Sequence, residues 1–433
     1  MVRRAGGPRV THRFETRQVH AGAQPDPTTG ARATPVHLST SFVFRDAEHA
    51  AAAFALRDLE THAYSRLSNP TTAVAEARLA DLEGGVAAVA VASGQSATAL
   101  AVLNLARAGE HVVAASSLYG GTHTLLAHTL DDLGITTTFV DDQDDPAAWR
   151  AATRPNTRAY YAETVGNPRG NVLDIAAVAD TAHAAGVPLI VDNTVPTPYL
   201  CRPIEHGADV VVHSTTKFLA GHGTVIGGAV VDSGRFPFAA DPDRWPQFSR
   251  PDPTYHGLAF GDSGELAYCL RLRTRLVRDL GPAVSPLNSF LLLNGIETLS
   301  LRLERHVANA TAVARWLRER PEVRAVHYAG LPDSPWHAAA RRYLPLGVGG
   351  VLAFELPDFD AGRRFVDRLT LFSHLANIGD LRSLVIHPAS TTHAQLDEEQ
   401  QRAAGVTPGL VRLSVGIEGT QDLLADLNQA LSR

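Results

Sequence analysis

Short apolar runs recur along the first half of this chain, at 86–92, 111–115, 136–140, 158–163, 188–191, 209–213 and 226–231. Between several of them the apolar positions fall at helical spacing, at 97–108, 121–133 and 175–185. Runs that are apolar throughout mark strands buried on both faces, and their alternation with helices marks crossover connections. The pattern predicts an α/β fold with a mostly parallel, seven-stranded sheet covered on both sides. Ligands of such sheets bind beyond the C-terminal ends of the strands.

The rhythm changes on either side of this region. Residues 1–60 hold a polar Pro/Gly segment (22–34) and a short Ala-rich helical run (50–59), which predicts an arm rather than a domain. After 286 comes one long helical pattern, 287–318, then strand-like 324–328, 350–356 and 410–415 between helical stretches. This predicts a smaller C-terminal α+β domain. The expected organisation is an arm at 1–60, a large α/β domain at 61–285 and the smaller domain at 286–433. A Pro- and aromatic-rich stretch, 236–258, interrupts the alternation and reads as an ordered surface loop.

Composition narrows the class. With 19% charged residues, 45% hydrophobic residues and a net charge of −6, the 433-residue chain reads as a globular enzyme without the basic stripe that nucleic acid requires. Two cysteines, Cys201 and Cys269, can form neither a disulfide framework nor a Cys-rich zinc site, and fit a reducing cytoplasm. The basic residues at 1–8 have no apolar run behind them, so no secretory signal is expected, and no apolar stretch reaches membrane-spanning length. The histidines are scattered without zinc spacing, so no metal is expected; His213, His222 and His387 are expected in supporting or structural roles.

The chemistry gathers around one amine. Of 39 lysines and arginines, Lys217 alone is lysine. Arginine supplies charge and donors equally well, but only a primary amine can condense with an aldehyde and then return as a base. Lys217 sits in His213-Ser-Thr-Thr-Lys217, directly after an apolar run. A chance survivor could stand anywhere, so Lys217 is expected to be a reaction centre holding pyridoxal 5'-phosphate.

That cofactor needs an acid at its ring nitrogen, a phosphate cradle and a stacking partner. Asp192 closes the run 188–191 and suits the acid, or a turn or helix cap. Gly94 and Gln95 lie between a strand and an Ala-rich helix, where backbone N–H groups can meet a phosphate, although a Ser-Gly pair is often only a turn. Ser214 and Thr216 could add hydroxyls. Tyr119, past the run 111–115, could stack on the ring and help activate the lysine, or simply pack. Asn167 could bond the ring's phenolic oxygen, or be a turn residue before proline. Arg412, in a strand pattern, suits a substrate carboxylate. Tyr64 and Arg66 pair a phenol with a guanidinium.

These blocks carry a resemblance. His20-Ala-Gly22, Tyr64-Ser-Arg66, Ala92-Ser-Gly-Gln95, Leu118-Tyr-Gly-Gly-Thr122, Val191-Asp-Asn-Thr194, the lysine segment 214–223, the blocks 372–377 and 383–393, and Arg412-Leu-Ser-Val-Gly-Ile-Glu418 stand in one order. From about Phe14 onward the chain resembles the Cys/Met-metabolism family of fold-type I pyridoxal phosphate enzymes, in its O-acetylhomoserine sulfhydrylase branch. The resemblance implies Lys217 as the Schiff-base lysine, Asp192 as ring-nitrogen partner and Tyr119 as stacking residue. It implies Gly94, Gln95, Ser214 and Thr216 around the phosphate, with Tyr64 and Arg66 reaching it from a neighbouring subunit. A homodimer with shared active sites, commonly paired into a tetramer, is therefore expected.

By the same resemblance Arg412 and Asn377 would hold the carboxylate of a small amino-acid substrate, near Arg382 and Ser383. Relatives that handle cystathionine carry Glu at the position of Arg382, to meet a distal amino group; a cation there argues against that chemistry. Methionine γ-lyases typically have Cys at the position of Gly121. Three places depart from the family pattern: Val195-Pro-Thr-Pro198, His123 and the insertion 236–258. The expected activity is γ-replacement on O-acetyl-L-homoserine, with sulfide giving L-homocysteine and acetate. Another carbon, nitrogen or sulfur nucleophile, a γ-lyase reaction, or a non-enzymatic cofactor-binding role remain alternatives at this stage.

Overall fold

The computed structural model describes residues 12–392, 394, 401 and 405–432; the segment 1–11 and His393, both cited above, lie outside them. The seven apolar runs become strands β1 (Ala87–Val91), β2 (His111–Ala115), β3 (Thr136–Val140), β4 (Thr157–Glu163), β5 (Leu189–Asp192), β6 (Val210–His213) and β7 (Gly228–Asp232). The larger sheet of the fold has seven strands, as the pattern predicts.

Two compact units divide the described residues. The first draws on the described residues of 12–106, 203–216 and 224–298. Here β7 pairs antiparallel with both β1 and β6, so the sheet is mixed rather than uniformly parallel. The helix Pro70–Glu83 shows why the chain turns where it does. The Asn69 side chain accepts from Thr71 N, Pro70 fills a first-turn position that needs no N–H, and Gly84 closes the helix at φ 82°. Ser93 caps the helix Gly94–Leu103 in the same way, through Ser96 N at 3.1 Å.

The second unit draws on the described residues of 107–202, 217–223 and 299–432. Strands β2, β3, β4 and β5 are all parallel here, and Tyr160, Tyr161, Ile190 and Val191 are fully buried. A five-stranded sheet follows, from β8 (Ala325–His327), β9 (Val351–Glu355), β10 (Ser373–His374), β11 (Leu384–Ile386) and β12 (Leu410–Ser414), in the order β10-β11-β12-β9-β8. Strands β10 and β11 are too short to be seen as patterns. The single long helix expected at 287–318 is two, Pro286–Glu297 and Leu299–Arg318, separated at Thr298. The helical pattern at 121–133 holds, but Leu125–Thr129 is wound as a π-helix.

The insertion 236–258 is packed rather than superficial. It contains short helical turns at Phe238–Ala240, Pro246–Ser249 and Pro253–Tyr255, with Phe238, Trp245, Phe248 and Tyr255 buried. Among the described residues no helix is long and apolar enough to cross a membrane, and no cluster of His, Cys, Asp and Glu could hold a metal. Both cysteines are buried and neither is in a disulfide.

Candidate active site

Lys217 lies in the turn after β6 and is held from several sides by residues of the second unit. Its Nζ donates to Asn377 Oδ1. Its carbonyl accepts from Gly221 N at 2.7 Å. Arg302, almost fully buried on Leu299–Arg318, donates to the carbonyls of Phe218 (2.7 Å) and Leu219 (3.1 Å). Gly379, at φ 76°, comes so close that a Cβ there would lie 2.6 Å from Phe218 N and 2.9 Å from Lys217 C. Burial lowers the Lys217 ammonium to about 8, with Arg412 adding a like charge. A pinned amine with a lowered pKa is what covalent chemistry at a lysine requires.

Arg412 projects from β12 and is 9% exposed. Its terminal nitrogens donate to Asn167 Oδ1 and to the Asn377 carbonyl, both at 3.2 Å, and its buried Nε has no partner among the described residues. Burial lowers this guanidinium to about 10. A buried cation whose hydrogen bonds reach only neutral oxygens, with one donor left over, is set for an anion. A carboxylate matches its planar fork.

The parallel strands β4 and β5 end side by side, with Glu163 in register with Asp192. Asp192 accepts from Thr194 N at 2.9 Å. Glu163, 6% exposed, accepts from Tyr119 N at 2.6 Å. Burial, and then the charge of Asp192, push the Glu163 carboxyl well above the ordinary carboxylate range. Two neighbouring carboxyls cannot both ionise cheaply. Tyr119 is 52% exposed, so it is not a packed core residue. Gly121 lies against its ring, where a Cβ would come within 2.5 Å of Tyr119 Cε1.

Ser383 and Arg382 behave differently from these. Ser383 is fully buried, and its hydroxyl donates to Glu418 Oε2 (2.9 Å) while accepting from Gly416 N (2.8 Å). That hydroxyl is committed to holding the chain around β11. Arg382 has a side chain 69% exposed and pairs with Asp380 at 3.1 Å. His123 stacks on Phe139 with ring centroids 4.3 Å apart.

The remaining expected residues lie in the first unit. Gly94 opens its helix against Ser214, and a Cβ at Gly94 would sit 2.6 Å from Ser214 Cβ and 2.8 Å from its Oγ. Only glycine lets the segment 214–216 lie this close to the positive end of that helix. Thr216 Oγ1 exchanges hydrogen bonds with Gly227, at 3.1 and 3.2 Å. Gln95 is exposed in the helix's first turn. Tyr64 is 44% exposed, with the Arg66 guanidinium 5.4 Å from its ring centroid. The supporting histidine His213 bonds Glu83 Oε1 at 2.7 Å, both side chains fully buried.

Glu163, Arg302 and Gly379 were given no role from sequence. Glu163 had a usable signal, since it closes an apolar run just as Asp192 does. Arg302 had none among so many arginines.

A family model described as "Cys/Met metabolism PLP-dependent enzyme" matches residues 15–432. O-acetyl-L-homoserine sulfhydrylase of Leptospira meyeri is 51% identical, covering 96% of this chain and 96% of its own. Homocysteine synthase of Schizosaccharomyces pombe is 50% identical, covering 98% and 99%. Among solved structures, a Campylobacter jejuni protein assigned as an O-acetylhomoserine (thiol)-lyase matches with a TM-score of 0.95 and 39% identity, over 98% of this chain and all of its own. That crystal structure carries a pyridoxyl-lysine monophosphate residue.

Proposed function

We propose, from the premise that this chain belongs to the Cys/Met metabolism family of PLP-dependent enzymes, that it replaces the γ-acetoxy group of O-acetyl-L-homoserine with sulfide, giving L-homocysteine and acetate. The observation that carries this reading is the sole lysine, its pKa lowered and its backbone pinned, beside a buried arginine with an unused donor.

The residues fit pyridoxal phosphate. Lys217 would bind it covalently, Asp192 would face its ring nitrogen, Asn167 its phenolic oxygen and Tyr119 its ring face. Gly94, Gln95, Ser214 and Thr216 would take the phosphate. When bound, the cofactor supplies an aldehyde for the substrate amine and a ring that draws negative charge away from Cα. Arg412, oriented by Asn377 and Asn167, holds the substrate carboxylate. Lys217 Nζ, freed by the incoming amine, removes the Cα proton and returns protons as the acetate leaves Cγ and sulfide takes its place. Glu163 fixes the backbone of Tyr119 by accepting its N–H.

The exposed Tyr64 and Arg66 support a dimer in which each chain completes its neighbour's phosphate site, with a tetramer as the further assembly and the cytoplasm as the setting. In a neutral amine lies a pH test. Below about pH 8 Lys217 is protonated and cannot condense, so apoenzyme should take up pyridoxal phosphate about tenfold more slowly per pH unit on the acid side. Stopped-flow absorbance measures this.

Arg382 discourages an amino-acid nucleophile. Arg382→Glu should raise kcat/KM for L-cysteine relative to sulfide by roughly two- to fivefold, a small effect because the group is solvent-screened. Cystathionine formation measures it. The function itself is tested by offering sulfide, methanethiol, L-cysteine or no nucleophile with O-acetyl-L-homoserine and identifying products by mass spectrometry. Ammonia and a 2-oxo acid in place of a sulfur product would make the enzyme a γ-lyase.

A further inference from the structure

The insertion 236–258 has no role in the reaction as described, yet it is anchored firmly. Phe238 stacks on Phe248 with centroids 4.3 Å apart, Trp245 meets Phe238 edge-on at 5.3 Å, and the Arg271 guanidinium lies 5.6 Å from the Phe248 ring centroid. From this aromatic base the chain runs to Asp252-Pro-Thr-Tyr255, which closes onto the helical segment 267–280. That segment is π-wound from Leu272 to Val277 and stops at Gly281, φ 84°.

Tyr255 is 7% exposed, and its hydroxyl is used twice. It donates to the Thr274 carbonyl at 2.8 Å and accepts from Arg278 Nη1 at 2.8 Å, while the Arg278 guanidinium lies 5.2 Å from the Tyr255 ring centroid. Arg275 adds a bond to Thr254 Oγ1 at 2.8 Å. The last turn of a helix leaves carbonyls without N–H partners, at the negative end of its dipole. One of these, the Arg278 carbonyl, accepts from Arg66 Nη1. A second contact, Arg273 Nη1 to the Leu67 carbonyl at 2.8 Å, fixes the same limb one residue on.

We propose that the insertion is a brace for the limb 64–67, with Tyr255 the positioning residue that aims Arg66 at the cofactor phosphate. This rests on the reading of Arg66 as a phosphate ligand. One hydroxyl ties the π-wound turn to the Arg278 side chain, and that residue's carbonyl in turn holds Arg66. The insertion therefore acts on cofactor affinity without touching the cofactor.

The test titrates full-length apoenzyme with pyridoxal phosphate and with pyridoxal, which lacks the phosphate, following visible absorbance. Tyr255→Phe keeps the ring and loses the hydroxyl. It should weaken pyridoxal phosphate roughly three- to tenfold, the scale of one or two hydrogen bonds, and leave pyridoxal unchanged. Arg278→Lys, which loses the fork but keeps the charge, should do the same, and Arg66→Ala should show a larger loss of the same selectivity. If Arg66→Ala weakens pyridoxal phosphate selectively while both other variants bind as wild type, the brace is wrong and the phosphate reading stands. Equal weakening of both ligands by Tyr255→Phe reduces it to general loosening and overturns the proposal. No selective loss in Arg66→Ala removes the phosphate reading and the brace together.

Discussion

Lys217→Ala should lose the covalently held cofactor, with its visible absorbance band, and at least about 10⁴-fold in kcat/KM for O-acetyl-L-homoserine. The size follows from two functions in one atom. Nζ both anchors the cofactor and carries protons, and no other primary side-chain amine exists in the chain to stand in for it. Neighbouring residues cannot substitute. Arg302 is fixed on the Phe218 and Leu219 carbonyls, and Arg412 is a guanidinium, which does not deprotonate readily. The fold should survive, because the turn is held by the backbone contacts of Arg302, Gly379 and Gly221 rather than by the lysine side chain. Absorbance, circular dichroism and steady-state kinetics on one preparation check all three statements.

The second large effect is expected at Arg412. Arg412→Met keeps most of the volume and removes the charge. Withdrawing one partner of a buried ion pair costs about 3–5 kcal/mol, so kcat/KM should fall roughly 10²- to 5 × 10³-fold, mainly through KM. A further sign separates this from simple damage. Arg412 is one of the two causes that lower the Lys217 pKa, after burial itself. Without it the lysine holds its proton more tightly, and the pH dependence of cofactor uptake should move to higher pH. Arg412→Lys should restore that pH profile toward wild type while leaving KM raised, because an ammonium is charged but cannot bind a carboxylate through two parallel donors. Kinetics and cofactor uptake measured across pH distinguish the two variants.

Much of this site could be read before any coordinates, for a physical reason. Buried strands are apolar throughout, so a polar residue closing such a run marks the sheet edge where ligands bind; Asp192 carries that mark, and Lys217, just beyond β6, stands out as the one lysine of the chain. Glu163, closing β4, carries the same mark. The sequence does not show that β4 and β5 end in register, which is what makes two acids neighbours. Arg302 was illegible because its task is to bind two carbonyls, which leaves no pattern among many arginines. The break at Thr298 was hidden by apolar spacing that continues across it, and β10 and β11 fell below the length at which periodicity shows. The insertion misled in another way. Its prolines suggested a surface loop, whereas its phenylalanines and tryptophan, which bury large areas, were the better guide to a packed element.

Arg382 and Ser383 differ in how their side chains are committed. Both stand where substrate contacts are expected, yet one pairs with Asp380 in solvent and the other spends its hydroxyl on Glu418 and Gly416.

The central claim, that the second half-reaction is capture of sulfide at Cγ, is met most directly by stoichiometry. With O-acetyl-L-homoserine and saturating sulfide, acetate released and L-homocysteine formed should rise together in a ratio of one, with no 2-oxo acid. Acetate release without homocysteine, whether accompanied by ammonia and a 2-oxo acid or not, would contradict it.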